Sequence, residues 1–209
     1  MRESGRNGEP VTIGVTGSLA SGKSTFVGLM RELGAETVSA DELVHELLAT
    51  DEETISAVAG RFGEEVRGES GIDRRRLAAV AFRSPEEIGA LEEILHPRVR
   101  ASVLERAAAS EREVFVAEIP LLFESGFSHV YDLTVAVISP DERRMGWAAE
   151  RGMSEEQVRG VEARQLSAEA KAERADTVVR NAGTLRELGD RAREVYESAL
   201  SRSRARSKE

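Results

Sequence analysis

The sequence predicts an α/β fold of three layers, in which helices cover both faces of a parallel sheet of about five strands. Two observations support this prediction. Short apolar runs alternate along the chain with helix-like segments, which is the pattern of parallel strands joined by helical crossovers. The first apolar run, Val11 to Thr16, also leads directly into a glycine-rich loop and a helix-like segment.

The strand candidates are short and continuously apolar, as expected of strands that are covered on both faces. They are Val11 to Thr16, Thr37 to Ser39, Val114 to Ile119, Leu133 to Ile138 and Thr177 to Val179. Helix starts are marked by hydroxyl residues with a carboxylate or amide side chain three positions on, so each hydroxyl is predicted to be an N-cap. These pairs are Ser84 with Glu87, Ser139 with Glu142, Ser154 with Gln157, and Thr184 with Glu187.

A long helical stretch interrupts the alternation. Residues 42–111 show helical patterns without a convincing strand, which predicts a helical insertion within a single domain of residues 11–201. The polar segments 1–10 and 202–209 are expected to be disordered tails.

Composition limits the class of protein. The chain has 209 residues, of which 40% are hydrophobic and 32% charged, and its net charge is −9. These values are typical of a soluble, acidic protein, whereas a nonspecific nucleic-acid binder is usually basic. The absence of cysteine excludes disulfides and thiolate metal sites, and no signal peptide or bilayer-spanning run is recognisable. We expect a cytoplasmic monomer or weak oligomer without nucleic-acid or membrane partners.

A phosphate-binding motif lies between the first strand and the first helix. Gly17, Gly22, Lys23 and Ser24 match the pattern G-x-x-x-x-G-K-[ST] of a P-loop. In this motif backbone N–H groups line an anion site at a helix start, the lysine reaches the β- and γ-phosphates, and the hydroxyl ligates Mg²⁺. An ordinary glycine-rich turn is the structural alternative. The predicted ATP-binding residues of the loop are Gly17, Ala20, Ser21, Gly22, Lys23, Ser24 and Thr25.

The loop alone does not indicate which molecule accepts the phosphate. Neither N-K-x-D nor LSGGQ occurs in the chain, which argues against translation-type GTPases and transporter ATPases and leaves small-molecule kinases. Asp41 follows the second strand candidate, at the end of the sheet where ligands of α/β proteins collect. Its carboxylate can take the proton of an acceptor hydroxyl, or it can simply cap the next helix.

Several longer segments resemble the dephospho-CoA kinase family along nearly the whole chain. They are TGSLASGKST, SADELVHELL, RFGEEV, GIDRRRLAAVAF, LEEILHPRVR, IPLLFESG and RQLSAEAKAERADTVVRNAG. The resemblance implies transfer of the ATP γ-phosphate to the 3′-hydroxyl of the ribose of dephospho-CoA, with Mg²⁺, as the last step of coenzyme A synthesis. It further implies a nucleotide core, a CoA-binding insertion and a lid, which we assign to residues 11–41 with 112–140 and 175–201, to 42–111, and to 141–174.

The resemblance also assigns roles to single residues. Asp41 corresponds to the acidic residue beside the acceptor hydroxyl. Glu118, at a position where many members carry Asp, is expected to hold a water on Mg²⁺, and Asn181 is expected to contact the adenine edge unless it is a plain turn residue. The implied substrate-binding residues are Asp41, Arg74, Phe82, His96, Leu121, Leu122 and Glu124.

Structural alternatives stand beside these substrate roles. Phe82 is more typical of a core aromatic, Leu121 and Leu122 can equally be core, and Arg74 can be a solvated charge. His96 precedes Pro97 and is therefore expected at a helix boundary, close to the substrate or purely structural.

The resemblance is weakest in the lid. Family lids carry two arginines about one turn apart, which neutralise the transferring phosphate. Arg151 fits the second position, so the predicted catalytic residues are Lys23, Asp41 and Arg151. The first position falls on Gly146 or Trp147, and Arg143 or Arg144 one turn earlier is a candidate substitute; Ser39 also stands where the family often has Asp.

Two other functions stay open at this point. A kinase of the same architecture can act on another hydroxyl acceptor, such as a nucleoside or nucleotide. A nucleotide- or CoA-sensing protein without turnover is compatible with the incomplete lid. The loop lysine, the Mg²⁺-binding hydroxyl and the acceptor carboxylate together favour a kinase.

Overall fold

The computed structural model describes residues 9–206. The strands are β1 Val11–Thr16, β2 Glu36–Ser39, β3 Val114–Glu118, β4 Leu133–Ile138 and β5 Thr177–Arg180. They form one five-stranded sheet in the order β2-β3-β1-β4-β5. The pairs β1/β3, β1/β4 and β4/β5 are parallel. The predicted α/β fold is confirmed, and each predicted strand is present with its ends shifted by no more than one residue.

Helices lie between successive strands apart from β3 and β4, and one further helix follows β5. They are α1 Lys23–Glu32, α2 Ala40–Thr50, α3 Glu52–Phe62, α4 Arg74–Ala81, α5 Pro85–Ala109, α6 Asp141–Glu150, α7 Glu155–Glu162, α8 Ala168–Arg174 and α9 Leu185–Arg206. Short 3₁₀ turns occupy Glu64–Val66 and Phe127–Val130. Within the described residues, no helix combines the length and apolar character that crossing a membrane requires.

The chain divides into two compact units. Among the described residues, the first unit joins 9–38 with 107–206, and the second is Ser39–Arg106. The second unit has its own apolar core, which explains how a helical segment of this length is stable without strands. That core contains Leu48, Ile55, Val58, Ala59, Phe62, Val66, Ile72, Leu77, Ala81 and Leu95.

The core of the first unit lies between the sheet and two helices. Val11, Ile13 and Val15 alternate along β1 and are fully buried. They pack in one cluster with residues of α1 and α9, which therefore cover this face of the sheet. The apolar runs recognised in the sequence are thus the strands of a parallel sheet. Strands of such a sheet are apolar throughout because both faces of the sheet are covered. The helix residues of the cluster are Phe26, Val27, Met30, Leu188, Ala192, Val195 and Ala199.

Three of the predicted helix caps are present. The Ser154 hydroxyl and the Gln157 side chain form a complete capping box at α7. The backbone N–H of Glu87 donates to the Ser84 hydroxyl at 3.3 Å. Thr184 and Glu187 bond reciprocally before α9, since the backbone N–H of Thr184 donates to Glu187 Oε2 at 2.6 Å and the N–H of Glu187 donates to the Thr184 hydroxyl at 3.3 Å.

The fourth predicted cap, Ser139, is wrong. Helix α6 begins at Asp141, and Pro140 occupies its N-cap position without a side-chain hydrogen bond. The Ser139 hydroxyl is instead buried and lies within hydrogen-bond distance of the carbonyls of Ser21 and Asn181. The pattern of a serine before Pro is therefore used here for a tertiary contact.

Pro97 lies inside α5, so the predicted helix boundary at His96 is also wrong. A proline has no N–H to donate one turn back, and its ring crowds that carbonyl, which costs about 3 kcal/mol in a helix interior. Leu95 and Val99 are buried on either side of it. Packing of residues before and after the proline holds the two halves of the helix in one segment of 25 residues.

The prediction that the chain is disordered from residue 202 is wrong for residues 202–206. Helix α9 continues to Arg206, whereas disorder was expected from residue 202. Ser203 is buried, and the Arg206 guanidinium forms an ion pair with Asp132. These tertiary contacts keep a polar sequence helical. Residues 1–8 and 207–209 lie outside the described residues.

Candidate active site

The P-loop lies at the point where the strand order of the sheet reverses. Strand β1 is central, with β3 on one side and β4 on the other. The carboxyl end of a strand between two such neighbours opens into a crevice, because the following connections leave to opposite sides. The loop that leaves β1 at Gly17 and enters α1 at Lys23 therefore occupies the usual ligand position of an open α/β sheet.

Two glycines of the loop stand where a side chain does not fit. A Cβ at Gly17 would overlap the carbonyl oxygen of Val137, and a Cβ at Gly22 would overlap Nδ2 of Asn181. Gly22 also has a φ of 90°, a left-handed conformation that glycine adopts without strain. The motif glycines thus permit close backbone packing against β4 and against the residue that follows β5.

Asn181 and Ser139 hold the loop from behind. Asn181 is 7% exposed, and its Nδ2 donates to the Ser21 carbonyl at 3.1 Å. The Ser139 hydroxyl lies 3.0 Å from the same carbonyl and 2.8 Å from the Asn181 carbonyl. These contacts satisfy a buried backbone carbonyl that has no partner in a helix or strand. The contact of Asn181 with an adenine edge stays a prediction, and the loop contact is an additional role.

Lys23, Ser24 and Glu118 form the polar part of the loop site. Lys23 is the first residue of α1, and its Nζ donates to the Ser18 carbonyl at 2.8 Å, so its stem folds back over the loop. Ser24 and Thr25 are exposed in the first turn of α1. The Ser24 hydroxyl donates to Oε1 of Glu118 at 2.8 Å. Glu118 ends β3, and its longer side chain does reach the hydroxyl of the motif.

This donor set fits Mg²⁺ bound together with a nucleotide. Mg²⁺ keeps several waters and uses one or two protein oxygens plus substrate phosphates, rather than a complete protein cage. One serine hydroxyl and one carboxylate within hydrogen-bond distance of each other meet that requirement. In the part of the chain that the structure describes, no three acidic or histidine side chains come together as an independent metal site.

The turn after β3 carries the residues predicted to contact the acceptor. Leu122 is fully buried, and its side chain packs against Gly14 of β1. Leu122 is therefore a core residue, which was the structural alternative to substrate contact. Leu121 is partly exposed. The Glu124 side chain is 17% exposed and pairs with Lys171, with 3.2 Å between Oε1 and Nζ. Lys171 belongs to α8 and was not recognised from the sequence.

The basic residues of the predicted lid have different environments. Arg144 is 3% exposed, donates to the Leu19 carbonyl at 3.1 Å and forms ion pairs with Asp141 and Glu162. These contacts hold Arg144 between α6, α7 and the loop; its assignment as a substitute for the first lid arginine stays a prediction. Arg143 lies over the Trp147 ring at 5.1 Å and donates to the Gly183 carbonyl at 2.7 Å.

Arg151 differs from both of these arginines. It is the C-cap of α6, where its backbone ends the helix. Its side chain is exposed, and no ion pair or hydrogen bond of its guanidinium is found among residues 9–206. Its assignment as a phosphate-neutralising residue stays a prediction.

The second unit contains the remaining predicted residues. Asp41 is exposed in the first turn of α2, whose N-cap is Ser39, so Asp41 is not the cap. Arg74 is the first residue of α4, 3.5 Å from Nδ1 of His45, a residue to which the sequence assigned no role. Phe82 is 60% exposed at the end of α4, which makes its interpretation as a core aromatic wrong. His96 is partly buried within α5.

Comparison with known proteins decides the family. The sequence profile of dephospho-CoA kinase matches residues 11–187. The chain belongs to the dephospho-CoA kinase family. The dephospho-CoA kinase of Chlorobaculum tepidum is 36% identical over 199 residues, which cover 91% of this chain and 96% of that protein. The dephospho-CoA kinase of Thermus thermophilus is 37% identical over 180 residues, covering 86% and 87%.

Solved structures support the dephospho-CoA kinase assignment. A Thermus thermophilus protein aligns with a TM-score of 0.78 at 35% identity, over 91% of this chain and 98% of its own. The dephospho-CoA kinase of Campylobacter jejuni aligns with a TM-score of 0.61 at 25% identity, over 91% and 97%. Shikimate kinase of Acinetobacter baumannii, at 13% identity, has a TM-score of 0.52 over 92% and 94%, a likeness of fold alone.

These findings confirm the sequence-based prediction of an ATP-dependent kinase of the dephospho-CoA kinase family. Ser139 and Lys171 were missed, for different reasons. Ser139 matched a capping pattern and was predicted to be the N-cap of the helix that follows it, so its contact with the loop was not considered. Lys171 had a signal that was not used, because only three of the 29 basic residues of the chain are lysine and one of the other two is the P-loop lysine.

Proposed function

We propose that this chain transfers the γ-phosphate of ATP to the 3′-hydroxyl of the ribose of dephospho-CoA, producing coenzyme A. The observation that carries this proposal is the 2.8 Å hydrogen bond between the Ser24 hydroxyl and Glu118 at the mouth of a P-loop that also holds Lys23. A hydroxyl at a helix start, a carboxylate at a neighbouring strand end and a loop lysine are the parts with which P-loop kinases hold a metal-bound triphosphate.

The loop residues bind the triphosphate. Backbone N–H groups of the loop would bind phosphate oxygens at the positive end of α1, except that of Ser21, which donates to the Ser18 carbonyl at 3.2 Å. Lys23 exchanges its contact with the Ser18 carbonyl for the β- and γ-phosphates. Thr25 follows on the exposed side of the first turn. The base is held near Asn181, whose Nδ2 is already bonded to the loop, so base and phosphate contacts are mechanically connected through one side chain.

Ser24 would ligate Mg²⁺ directly, and Glu118 would hold the ion through a water. The ion, when bound, neutralises charge on the β- and γ-phosphates. The Ser24 hydroxyl would offer a lone pair to the ion and the Glu118 carboxylate would accept a hydrogen bond from a water of the ion. Because the two oxygens already lie within hydrogen-bond distance, little rearrangement of the protein accompanies metal binding.

The acceptor is bound by the residues to which the resemblance assigns this role. Asp41 accepts the proton of the ribose hydroxyl as the phosphoryl group arrives, and its exposed carboxylate, without a capping role, is suited to this. Arg151 neutralises charge on the moving phosphate, and Arg74 binds the diphosphate of dephospho-CoA. Phe82 offers an exposed apolar ring, with His96, Leu121 and Glu124 as further contacts.

We infer a cytoplasmic enzyme, a monomer or weak oligomer, whose partners are small molecules.

One incubation tests the proposal. The protein is mixed with ATP, Mg²⁺ and dephospho-CoA, and the products are separated and weighed by mass spectrometry. We expect ADP and a product that co-elutes with authentic coenzyme A. A Lys23→Met variant, which loses the phosphate contact but keeps the stem, provides the background. Phosphorylation of a nucleoside or nucleotide in preference to dephospho-CoA would replace the proposal with a kinase of another acceptor, and ligand binding without any product would replace it with a sensor.

A further inference from the structure

Lys171 is a cation without contact with solvent. It lies in α8 with 0% of its side chain exposed. Its ammonium donates to the Pro120 carbonyl at 2.7 Å. It also donates to Gln165 Oε1 at 3.4 Å and lies 3.2 Å from Glu124 Oε1. Three oxygens from two segments, the turn from Pro120 to Glu124 and the residue Gln165, thus surround one nitrogen.

Burial of this charge is costly and needs a reason. Removal from water lowers the pKa of Lys171, and the Glu124 carboxylate opposes that effect. Replacing a buried ion pair with apolar groups of similar volume is often neutral or stabilising, so such a pair is weak support for stability as its purpose. Fixing the position of particular groups relative to one another is the alternative use.

The contacts of Lys171 join three parts of the first unit. The Pro120 carbonyl also accepts from the Thr16 hydroxyl at 2.9 Å. Thr16 is the last residue of β1 and directly precedes the P-loop. Glu124 Oε1 also accepts from the backbone N–H of Leu166 at 2.9 Å. The ammonium therefore connects the end of the P-loop strand, the turn from Pro120 to Glu124, and the segment from Gln165 into α8.

The side chain chosen matches this geometry. An ammonium has three donors spread around a point, whereas a guanidinium presents a wide planar fork. Three acceptors surround the nitrogen of Lys171, which suits the first arrangement. The sequence otherwise prefers arginine strongly, since 26 of its 29 basic residues are arginine. Position 171 is thus fully buried and carries the rarer of the two basic residues.

We propose that Lys171 is a positioning residue for the acceptor: it holds the Pro120–Glu124 turn in register with the P-loop, so that dephospho-CoA bound at this turn meets the γ-phosphate. The inference rests on the proposed function for the identity of the acceptor. It predicts that Lys171 acts on the use of dephospho-CoA and leaves ATP binding unchanged, because its contacts reach the acceptor turn and no atom of the loop from Gly17 to Ser24.

The test compares Lys171→Met with the wild-type protein. Methionine keeps the length of the side chain and removes all three donors. At saturating ATP we expect kcat/KM for dephospho-CoA to fall about 100-fold, the effect of a misplaced reacting group. The dissociation constant of ATP, measured by calorimetry without acceptor, should stay within about threefold. Amide exchange of Leu166, whose N–H donates to Glu124, should become faster in the same variant.

Two further variants complete the experiment. Arg174→Met removes an exposed charge from the same helix and should leave all three measurements unchanged. Glu124→Gln keeps the size of the side chain and the acceptor for the Leu166 N–H but removes the charge opposite Lys171. If Lys171→Met does not fold, Glu124→Gln takes its place in the comparison. We expect it to lower kcat/KM for dephospho-CoA to a smaller extent. Unchanged acceptor kinetics, or equal losses for ATP and acceptor, would overturn the positioning role. Absence of kinase activity in the wild-type protein would refute the proposed function, whereas unchanged exchange at Leu166 in folded Lys171→Met would refute the inference by itself.

Discussion

Nδ2 of Asn181, the residue after the last strand, donates to the carbonyl of Ser21 in the loop after the first strand, at 3.1 Å. Because Gly22 packs against the same amide, a side chain predicted to contact the base also supports the phosphate site. The two roles have different consequences for binding, and both can be measured.

Replacement of Asn181 by leucine separates these roles. Leucine fills similar space but leaves the Ser21 carbonyl with Ser139 as its remaining side-chain donor, and loss of such a bond costs about 1–3 kcal/mol. We expect weaker binding of both ATP and inorganic tripolyphosphate, about tenfold or more for each. The measurement is calorimetry with the two ligands. If tripolyphosphate binding is unchanged while ATP binding falls, Asn181 acts on the base alone.

Replacement of Glu118 by glutamine tests the metal site. The amide oxygen still accepts the Ser24 hydroxyl, so the free protein should keep its melting temperature. The loss of charge should raise the Mg²⁺ concentration needed for half-maximal activity by about 10- to 100-fold, as expected for an outer-shell ligand. Activity titrated with Mg²⁺ provides the measurement, and Glu111→Gln, an exposed carboxylate beyond the end of α5, is the matched control. An unshifted Mg²⁺ titration would exclude Glu118 from the site.

Replacement of Asp41 by asparagine tests the proton acceptor. Asparagine is nearly the same size but cannot take a proton, and removal of a general base costs about 10²- to 10⁴-fold in rate. We expect kcat to fall by that factor while ATP affinity is retained, because Asp41 is in α2 and not in the P-loop. Glu42→Gln, next to it and also exposed, should keep full activity. A kcat close to that of the wild-type protein would show that another group accepts the proton.

Replacement of Asp132 by asparagine tests a structural carboxylate. Its Oδ2 accepts from the backbone N–H of Thr12 at 2.8 Å, and it forms an ion pair with Arg206. Burial alone would raise the pKa of Asp132, but the hydrogen bonds from Arg206 and Thr12 outweigh burial and lower the pKa below its ordinary value of 3.8. The carboxylate therefore contributes stability that is present above that value and is lost as pH falls through the lowered pKa.

We expect Asp132→Asn to lower the free energy of unfolding by about 1–3 kcal/mol at pH 7. The difference from the wild-type protein should shrink as pH falls below about 4, where Asp132 of the unfolded wild-type chain begins to be protonated, and should be lost as pH falls through the lowered pKa of the folded protein. Urea unfolding at a series of pH values measures it, with Asp190→Asn on the exposed side of α9 as the control. A constant difference across this range would show that the charge of Asp132 is not the source of the effect.

The sequence predicts the sheet and the phosphate loop well because both depend on local patterns. Continuous apolar runs identify doubly covered strands, and the P-loop motif specifies backbone conformation and chemistry together. Pairings that are distant in sequence leave no such pattern. Nothing around Lys171 indicates that its partners are the carbonyl of Pro120 and the carboxylate of Glu124.

The wrong predictions have a common cause. At Ser139, Pro97 and the end of α9, a local preference was outweighed by tertiary contacts: a buried carbonyl to satisfy, apolar residues on both sides of the proline, and an ion pair with Asp132. At Phe82 the prior for an aromatic residue favoured the core, and the ring is exposed. Local patterns predict elements, and the remaining positions are decided by what each side chain meets in three dimensions.

The strand order has a consequence for synthesis of the protein on the ribosome. The first strand of the sheet, β1, occupies its centre, between strands that begin about a hundred residues later in the chain. Its apolar residues therefore emerge long before their neighbours exist, and α9, one of the two helices that cover them on one face, is translated after all five strands. Pairings of such long sequence separation fold slowly and expose apolar surface in the meantime. The nascent chain thus has to extend to Asn181 before the nucleotide loop is supported, and chains truncated ahead of α9 should accumulate in aggregates.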